Sequence, residues 1–337
     1  MVLTRPAHQP VMVDRVAEVL QPRPGGTYLD ATLGLGGHAE RLLEAGAPDG
    51  RVVGLDRDPA ALALARDRLA WAGDRLQAVN ASFADLAEVA GRLGLEAADG
   101  VLYDLGVSSL QLDEADRGFS YRADAPLDMR MDPTTGITAA EVLATYPRAE
   151  LARILREYGE ERFAGRIARV IDEARRRGPV ATTGQLAELV KTAVPAAARR
   201  TGPHPARRAF QALRIEVNRE LDALRASLPQ AIDLLAPGGR LVVLSYHSLE
   251  DRIVKQALAE AAGGRVEAPS PFRGSRHEPP GLPVDPPAAR AALVTVLTRR
   301  PERPDPSEVA ANPRAESAKL RAAERLQPPT EARGGQR

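Results

Sequence analysis

The chain has 337 residues, 44% hydrophobic and 27% charged, the balance of a globular protein with room for one large or two medium cores. Its formal net charge is only +1, so any surface for a polyanion must be a local patch. Cysteine is absent, which excludes disulfides, a thiolate nucleophile and Cys-ligated zinc.

The N-terminal stretch MVLTRPAHQPVMVDRVAEVL lacks the basic-then-apolar pattern of a signal peptide. No run reaches the roughly 18 apolar residues of a membrane span. A cytoplasmic location with no membrane partner is therefore expected.

Strand-like runs at Thr27–Leu29, Arg51–Leu55, Leu76–Val79 and Gly100–Tyr103 alternate with helical composition at Ala39–Glu44, Ala60–Ala70 and Leu86–Leu93. That alternation predicts a parallel α/β sheet with helices on both faces. It stops at Asp104. From there to Pro133 the chain reads DLGVSSLQLDEADRGFSYRADAPLDMRMDP, with neither strand nor helix periodicity. Loops beyond about 12–15 residues in a compact domain are usually functional or disordered. Here Leu105, Val107, Leu110, Leu112, Phe119, Tyr121, Leu127 and Met129 can anchor the segment, so an ordered functional loop is expected.

From about Thr138 to Val194 the pattern is nearly all helical, and a long helix is expected over Ala206–Leu235, ending at Pro237-Gly238-Gly239. Strands return at Arg240–Ser245 and Ala291–Thr298. The predicted organisation is a sheet domain in two parts, 1–112 and 206–300, an inserted helical domain at 113–205 for RNA recognition, and a Pro/Arg-rich tail at 301–337. The tail is expected to hug the surface or be partly disordered. Between Arg148 and Arg208 there are 14 Lys/Arg against 7 Asp/Glu, an imbalance that favours a phosphate-facing surface over a merely solvated one.

The first strand ends at Asp30 and runs into Leu33-Gly34-Leu35-Gly36-Gly37-His38 before a helix. Such a turn lets a ligand approach the backbone and meet the helix N-terminus. The second strand ends at Asp56, placed to bind a ribose diol. Asp30 ahead of the glycines, and a glycine order unlike G-x-G-x-x-G, favour S-adenosylmethionine over a dinucleotide. Phe83, after the third strand, is placed to lie against an adenine. Asp104, closing the fourth strand, can accept the N–H of a base amine and localise its lone pair for attack on a sulfonium; a role orienting the loop or contacting the cofactor is the equal alternative. The missing thiolate argues against methylation at C5 of cytosine, and the missing ligands against zinc-dependent deamination. No metal is required.

On the predicted long helix, Phe210, Leu213, Val217, Leu221 and Leu224 define a buried seam. Arg207, Gln211, Arg214 and Asn218 form a stripe beside it, with Arg208 and Arg219 turned toward solvent. Arg207, Arg214 and Asn218 are expected to line a cleft and hold RNA phosphate or a flipped cytidine; tying the insertion to the sheet is the competing role.

The strings HQPVM from His8, GGH from Gly36, DRDP from Asp56, DLGVSSLQLD from Asp104 and RGFSYRADAPLDMRMDP from Arg117 are long and unusual. So are YGEERFAGRIARVI from Tyr158, HPARRAFQALRIEVNREL from His204, GGRLVVLSYHSLEDRIVK from Gly238 and NPRAESAKLRAAER from Asn312. Together they closely resemble the bacterial 16S ribosomal RNA (cytosine-N4)-methyltransferases, the RsmH or MraW family. The resemblance implies a class I (Rossmann-like) methyltransferase sheet with an inserted all-helical domain. It also implies S-adenosylmethionine as donor and a decoding-centre cytidine of 16S rRNA, within the small ribosomal subunit, as acceptor. Carried onto matching positions, it gives cofactor contacts to Gly36, Gly37, His38, Asp56, Phe83, Asp104 and Gln111. If Asp104 holds the cofactor, Tyr246, His247 and Ser248 compete for the catalytic task. Leu110 stands where the family usually has Pro, and Ala31 where Gly is common; neither change removes a functional group.

An amino methyltransferase acting on another RNA or on DNA is the alternative enzyme, but a DNA enzyme would show Asp/Ser-Pro-Pro-aromatic where this chain has Asp104-Leu105-Gly106-Val107. A non-enzymatic RNA-binding scaffold would be expected to lose the glycine turn or Asp56, and both are present. A nicotinamide dehydrogenase is disfavoured by the glycine order.

Overall fold

The computed structural model describes residues 10–199, 204–264 and 291–327. Seven strands form one sheet: β1 (Thr27–Asp30), β2 (Arg51–Asp56), β3 (Leu76–Asn80), β4 (Ala98–Asp104), β5 (Leu235–Ser245), β6 (Val294–Val296) and β7 (Lys319–Arg325). The helices in chain order are α1 (Val13–Leu20), α2 (Gly37–Ala45), α3 (Pro59–Arg68), α4 (Leu86–Arg92), α5 (Ser109–Asp113), α6 (Ala139–Thr145) and α7 (Arg148–Glu157). They continue with α8 (Ala164–Arg175), α9 (Thr183–Ala193), α10 (Ala196–Arg199), α11 (Ala206–Asn218), α12 (Glu220–Leu234), α13 (Ser248–Ala261) and α14 (Pro306–Ala311).

The sheet order is β3-β2-β1-β4-β5-β7-β6. Neighbours from β3 to β5 are parallel, and β7 runs antiparallel to both β5 and β6. β4 shows why both faces are covered. Its pleat sends Val101 and Tyr103 into a core with α4, α12 and α13, and Leu102 into the opposite core with α1, α2 and α3. Register then aligns the strand ends: Asp30 pairs with Gly54 and Leu102, Asp56 with Asn80, and Asp104 with Leu244. The carboxylates closing β1, β2 and β4 thus share one edge, the crevice where open α/β sheets bind ligands.

The insertion has its own core, joining Leu143, Leu151, Ile154, Ile167 and Leu186 to Phe119, Leu127 and Met129 of the 104–133 segment. Capping boxes at Thr138–Glu141 and Thr182–Gln185 start α6 and α9. The 104–133 segment is ordered as expected, but it contains α5 and a 3-10 turn at Ala115–Arg117.

Four expectations are corrected. The single helix over Ala206–Leu235 is two helices, because Arg219 takes a left-handed conformation (φ 50°) between α11 and α12. The seam continued numerically across this break and concealed it: Phe210 and Leu213 pack in the insertion core, Leu221 and Leu224 in the sheet core. The insertion boundary at 205 moves accordingly, since Ala206–Leu213 of α11 supply that insertion core. Finally, residues after Pro301 are not merely a tail, for β7 lies inside the sheet. Its charges hid it, and each has a partner: Arg321 and Lys319 meet Asp251 at 2.7 and 3.2 Å, and Glu324 meets Arg240 at 2.8 Å. The last strand is also shorter than expected. His8, Gln9 and residues 328–337 lie outside the described residues.

Candidate active site

β1 delivers Asp30 to the crevice, and the chain turns through Gly34 (φ 51°) and Gly36 (φ 79°) into α2. A Cβ at Gly36 would lie 2.8 Å from Leu69, so conformation and space both require glycine there. Asp56 braces the turn: one carboxylate oxygen accepts the Gly34 N–H at 2.8 Å and the other the Asp58 N–H at 2.8 Å. Burial nevertheless pushes the Asp56 carboxyl above its usual range, against the pull of those two bonds.

Asp104 is held on three sides. Its backbone N–H donates to Thr32 Oγ1 at 2.6 Å, Tyr246 Oη donates to its Oδ1 at 2.6 Å, and its Oδ2 lies 3.4 Å from His38 Nε2. His38, in the first turn of α2, is buried, and neither ring nitrogen makes a well-formed hydrogen bond. Burial opposes its charge, but Asp104, Asp30 and Glu308 outweigh that and raise its pKa. Asp30 is only 1% exposed, and one carboxylate oxygen has no partner. Desolvation, with nearby Asp104 and Asp56, pushes it up to about 7, despite His38 and the Thr32 N–H. Burial and Asp104 likewise raise Tyr246 well above the usual phenol range. The result is a partly buried acidic crevice beside the half-buried Gly34 turn, suited to a cation-bearing ligand.

The Tyr246-His247-Ser248 turn leaves β5 and is aimed by Glu250, whose Oε2 accepts the Tyr246 and His247 N–H groups at 2.8 and 3.2 Å. His247 caps α13, with Nε2 3.1 Å from Glu250 Oε1. Ser248 donates its hydroxyl to Glu160. Of the catalytic candidates, the structure therefore joins Tyr246 to Asp104 and leaves His247 and Ser248 in supporting contacts.

The other expected residues divide. Phe83 stands edge-on to Tyr103 with ring centroids 5.7 Å apart, and the Arg57 guanidinium lies 5.8 Å from its centroid. Gln111 is buried and already engaged, its side-chain N–H donating to Asp58 Oδ2 at 3.1 Å and its carbonyl accepting the Ser108 N–H at 3.0 Å. Arg207 is exposed and reaches Ser317 Oγ at 3.4 Å. Arg214 and Asn218 correct the expectation of free cleft-facing groups. Arg214 spends Nε and Nη2 on the two oxygens of Glu220, each at 2.8 Å. The Asn218 amide accepts from Met131 N and donates to Met129 O, both at 2.8 Å. Asn218 also lines a cavity of ≈ 540 Å³ with Arg57, Asn80, Ser82 and Arg130, beside rather than over the Asp30–Asp104 cluster.

Sequence reasoning missed Arg117 and Asp58. Arg117 meets Asp58 at 2.9 Å and donates to the carbonyl of Met131 at 2.8 Å, binding the loop to the turn after β2. Asp58 before Pro59 was readable as a helix cap; nothing in the sequence marks its distant arginine. Glu250 was legible as the far half of a capping box.

This sheet order, glycine turn and acidic crevice define a class I methyltransferase, which takes S-adenosylmethionine as its methyl donor. The observations fit that donor: Asp30, with its unpartnered oxygen, and Asp104 can meet cationic groups, and the turn is open at Gly34, where an added Cβ would meet nothing nearer than the Thr32 carbonyl at 3.8 Å. The MraW methylase family model matches residues 5–326. Ribosomal RNA small subunit methyltransferase H of Thermobifida fusca (strain YX) is 56% identical over 327 residues, covering 96% of this chain and 95% of the relative. The same-named protein of Symbiobacterium thermophilum is 54% identical over 326 residues, covering 97% and 99% respectively. The chain belongs to the MraW methylase family. Among the described residues, no helix is long and apolar enough to cross a membrane, and no group of three His, Asp or Glu side chains could hold a metal.

Proposed function

We propose that this enzyme methylates the exocyclic N4 amine of a decoding-centre cytidine in 16S ribosomal RNA, within the small subunit, in the cytoplasm. Relatives named for the small-subunit RNA support the substrate class. The observation that carries the chemistry is the Tyr246–Asp104 hydrogen bond of 2.6 Å, which fixes one oxygen of a carboxylate at the open end of β4.

An exocyclic cytosine amine is a poor nucleophile because its lone pair is delocalised into the ring. A carboxylate accepting its N–H localises that pair on nitrogen and aims it. Asp104 takes this role, with Oδ1 held by Tyr246 and Oδ2 turned toward His38. The bound donor supplies an electrophilic methyl on a sulfonium. Asp30, the glycine turn and Asp56 would hold it, and Phe83 is the side chain that would meet its adenine. Asp104 then receives the proton that the nitrogen sheds, and His38 lies 3.4 Å away to share it. Mass mapping of 16S rRNA from a deletion strain tests this function. One decoding-centre cytidine should lack its N4-methyl and regain it with the wild-type gene but not with Asp104→Asn. An unchanged map would refute the reading.

A further inference from the structure

Glu160 follows α7 and, although not glycine, holds φ at +47°. One carboxylate oxygen accepts the Ser248 hydroxyl, and the other lies 3.3 Å from Arg252 Nη2. Arg208 donates to the Glu160 backbone carbonyl at 3.2 Å. The Ser248 bond foremost, then Arg252 and Arg208, depress the Glu160 pKa against the effect of its partial burial. The Arg252 side chain is 58% exposed and Arg208 is also exposed. Among the described residues Arg252 pairs with no other carboxylate, and Arg208 pairs with none. The group opens to solvent two residues from Tyr246, whose hydroxyl holds Asp104.

One guanidinium, Arg252, and the Ser248 hydroxyl converge on the Glu160 carboxylate, and a second guanidinium, Arg208, sits on the carbonyl of the same residue; each guanidinium carries five N–H groups, so the group keeps unspent donors for an anion. A phosphodiester presents two oxygens and one negative charge, as a carboxylate does, so it can replace Glu160 without altering the local charge balance. We propose that Ser248, Arg252 and Arg208 seat a backbone phosphate of the substrate RNA beside the target nucleotide, with Glu160 as its internal stand-in. This rests on the RNA reading above.

The competing role is a latch in which Glu160 merely ties the insertion to α13. The two roles predict opposite signs. As a stand-in, Glu160 competes with RNA, so Glu160→Gln tightens binding severalfold, whereas Arg252→Ala and Arg208→Ala each weaken it. As a latch, Glu160→Gln and Arg252→Ala both weaken it. Filter binding of a decoding-centre 16S rRNA fragment by the full chain, across a salt series, separates them. Each arginine variant should lose about 5–10-fold at low salt and lower the slope of log K against log salt by about 1. Arg252→Lys should restore the slope, and calorimetric titration with S-adenosylmethionine should be unchanged throughout. Weaker binding by Glu160→Gln, or unaltered salt slopes in the arginine variants, would overturn the seat while leaving the substrate assignment standing. Failure of the wild-type chain to prefer that fragment over unrelated RNA would overturn both.

Discussion

At the scale of single residues, Asp30 shows what the crevice costs the apo protein. Its folded pKa is pushed up to about 7, while in an unfolded chain an aspartate titrates near ~3.9. Between those values the folded state binds a proton that the unfolded state has released. Stability therefore falls as pH rises through this window, by about 1.4 kcal/mol per unit, and levels off above it. Asp30→Asn cannot ionise, so its melting temperature should exceed that of the wild type at both pH 5 and pH 8, by roughly three times as much at pH 8. Equal gains at both values would contradict the assigned burial. Asp30, Asp56 and Asp104 were legible in the sequence because each closes an apolar run. The Tyr246–Asp104 bond was not, because it spans 142 positions and exists only through the pairing of β4 with β5.

At the scale of elements, the break at Arg219 shows how a periodic pattern can mislead. Nothing at 218–220 is glycine or proline, and the three-four spacing of apolar residues continues straight through. What turns the chain is tertiary: Asn218 ties α11 to the backbone of Met129 and Met131, and the Arg214–Glu220 pair braces the corner. Asn218→Ala would leave the buried Met131 N–H and Met129 carbonyl without partners, so urea unfolding should show a loss of about 2–3 kcal/mol. Full stability combined with lost RNA methylation would restore the substrate-contact role that the sequence suggested. The 104–133 loop was legible as functional for the converse reason: it broke periodicity yet kept enough apolar residues to be anchored.

At the scale of the whole molecule, the segment after Pro301 is part of the architecture. β7 fills the gap between β5 and β6 and buries Leu320, Ala322 and Ala323. The same segment reaches the active-site loop, where Arg314 meets Asp113 at 2.7 Å and bonds the Ser109 hydroxyl. At the other end of the chain Glu308 accepts the Met12 N–H at 2.6 Å. Composition concealed this, since a strand of Lys, Arg and Glu reads as solvated until its partners are known. Truncation after Arg300 should abolish the cooperative thermal transition; a truncated chain that melted like the full protein would refute the strand's role.

The account turns on Asp104 as the group that accepts the amine proton rather than a cofactor ligand alone. Single-turnover methylation of 16S rRNA by Asp104→Asn, at saturating S-adenosylmethionine and with donor affinity measured in parallel, tests this most directly. The predicted result is a rate reduced by about 100-fold or more, with donor affinity within a few-fold of wild type. A collapse of donor affinity with a normal saturated rate would contradict it.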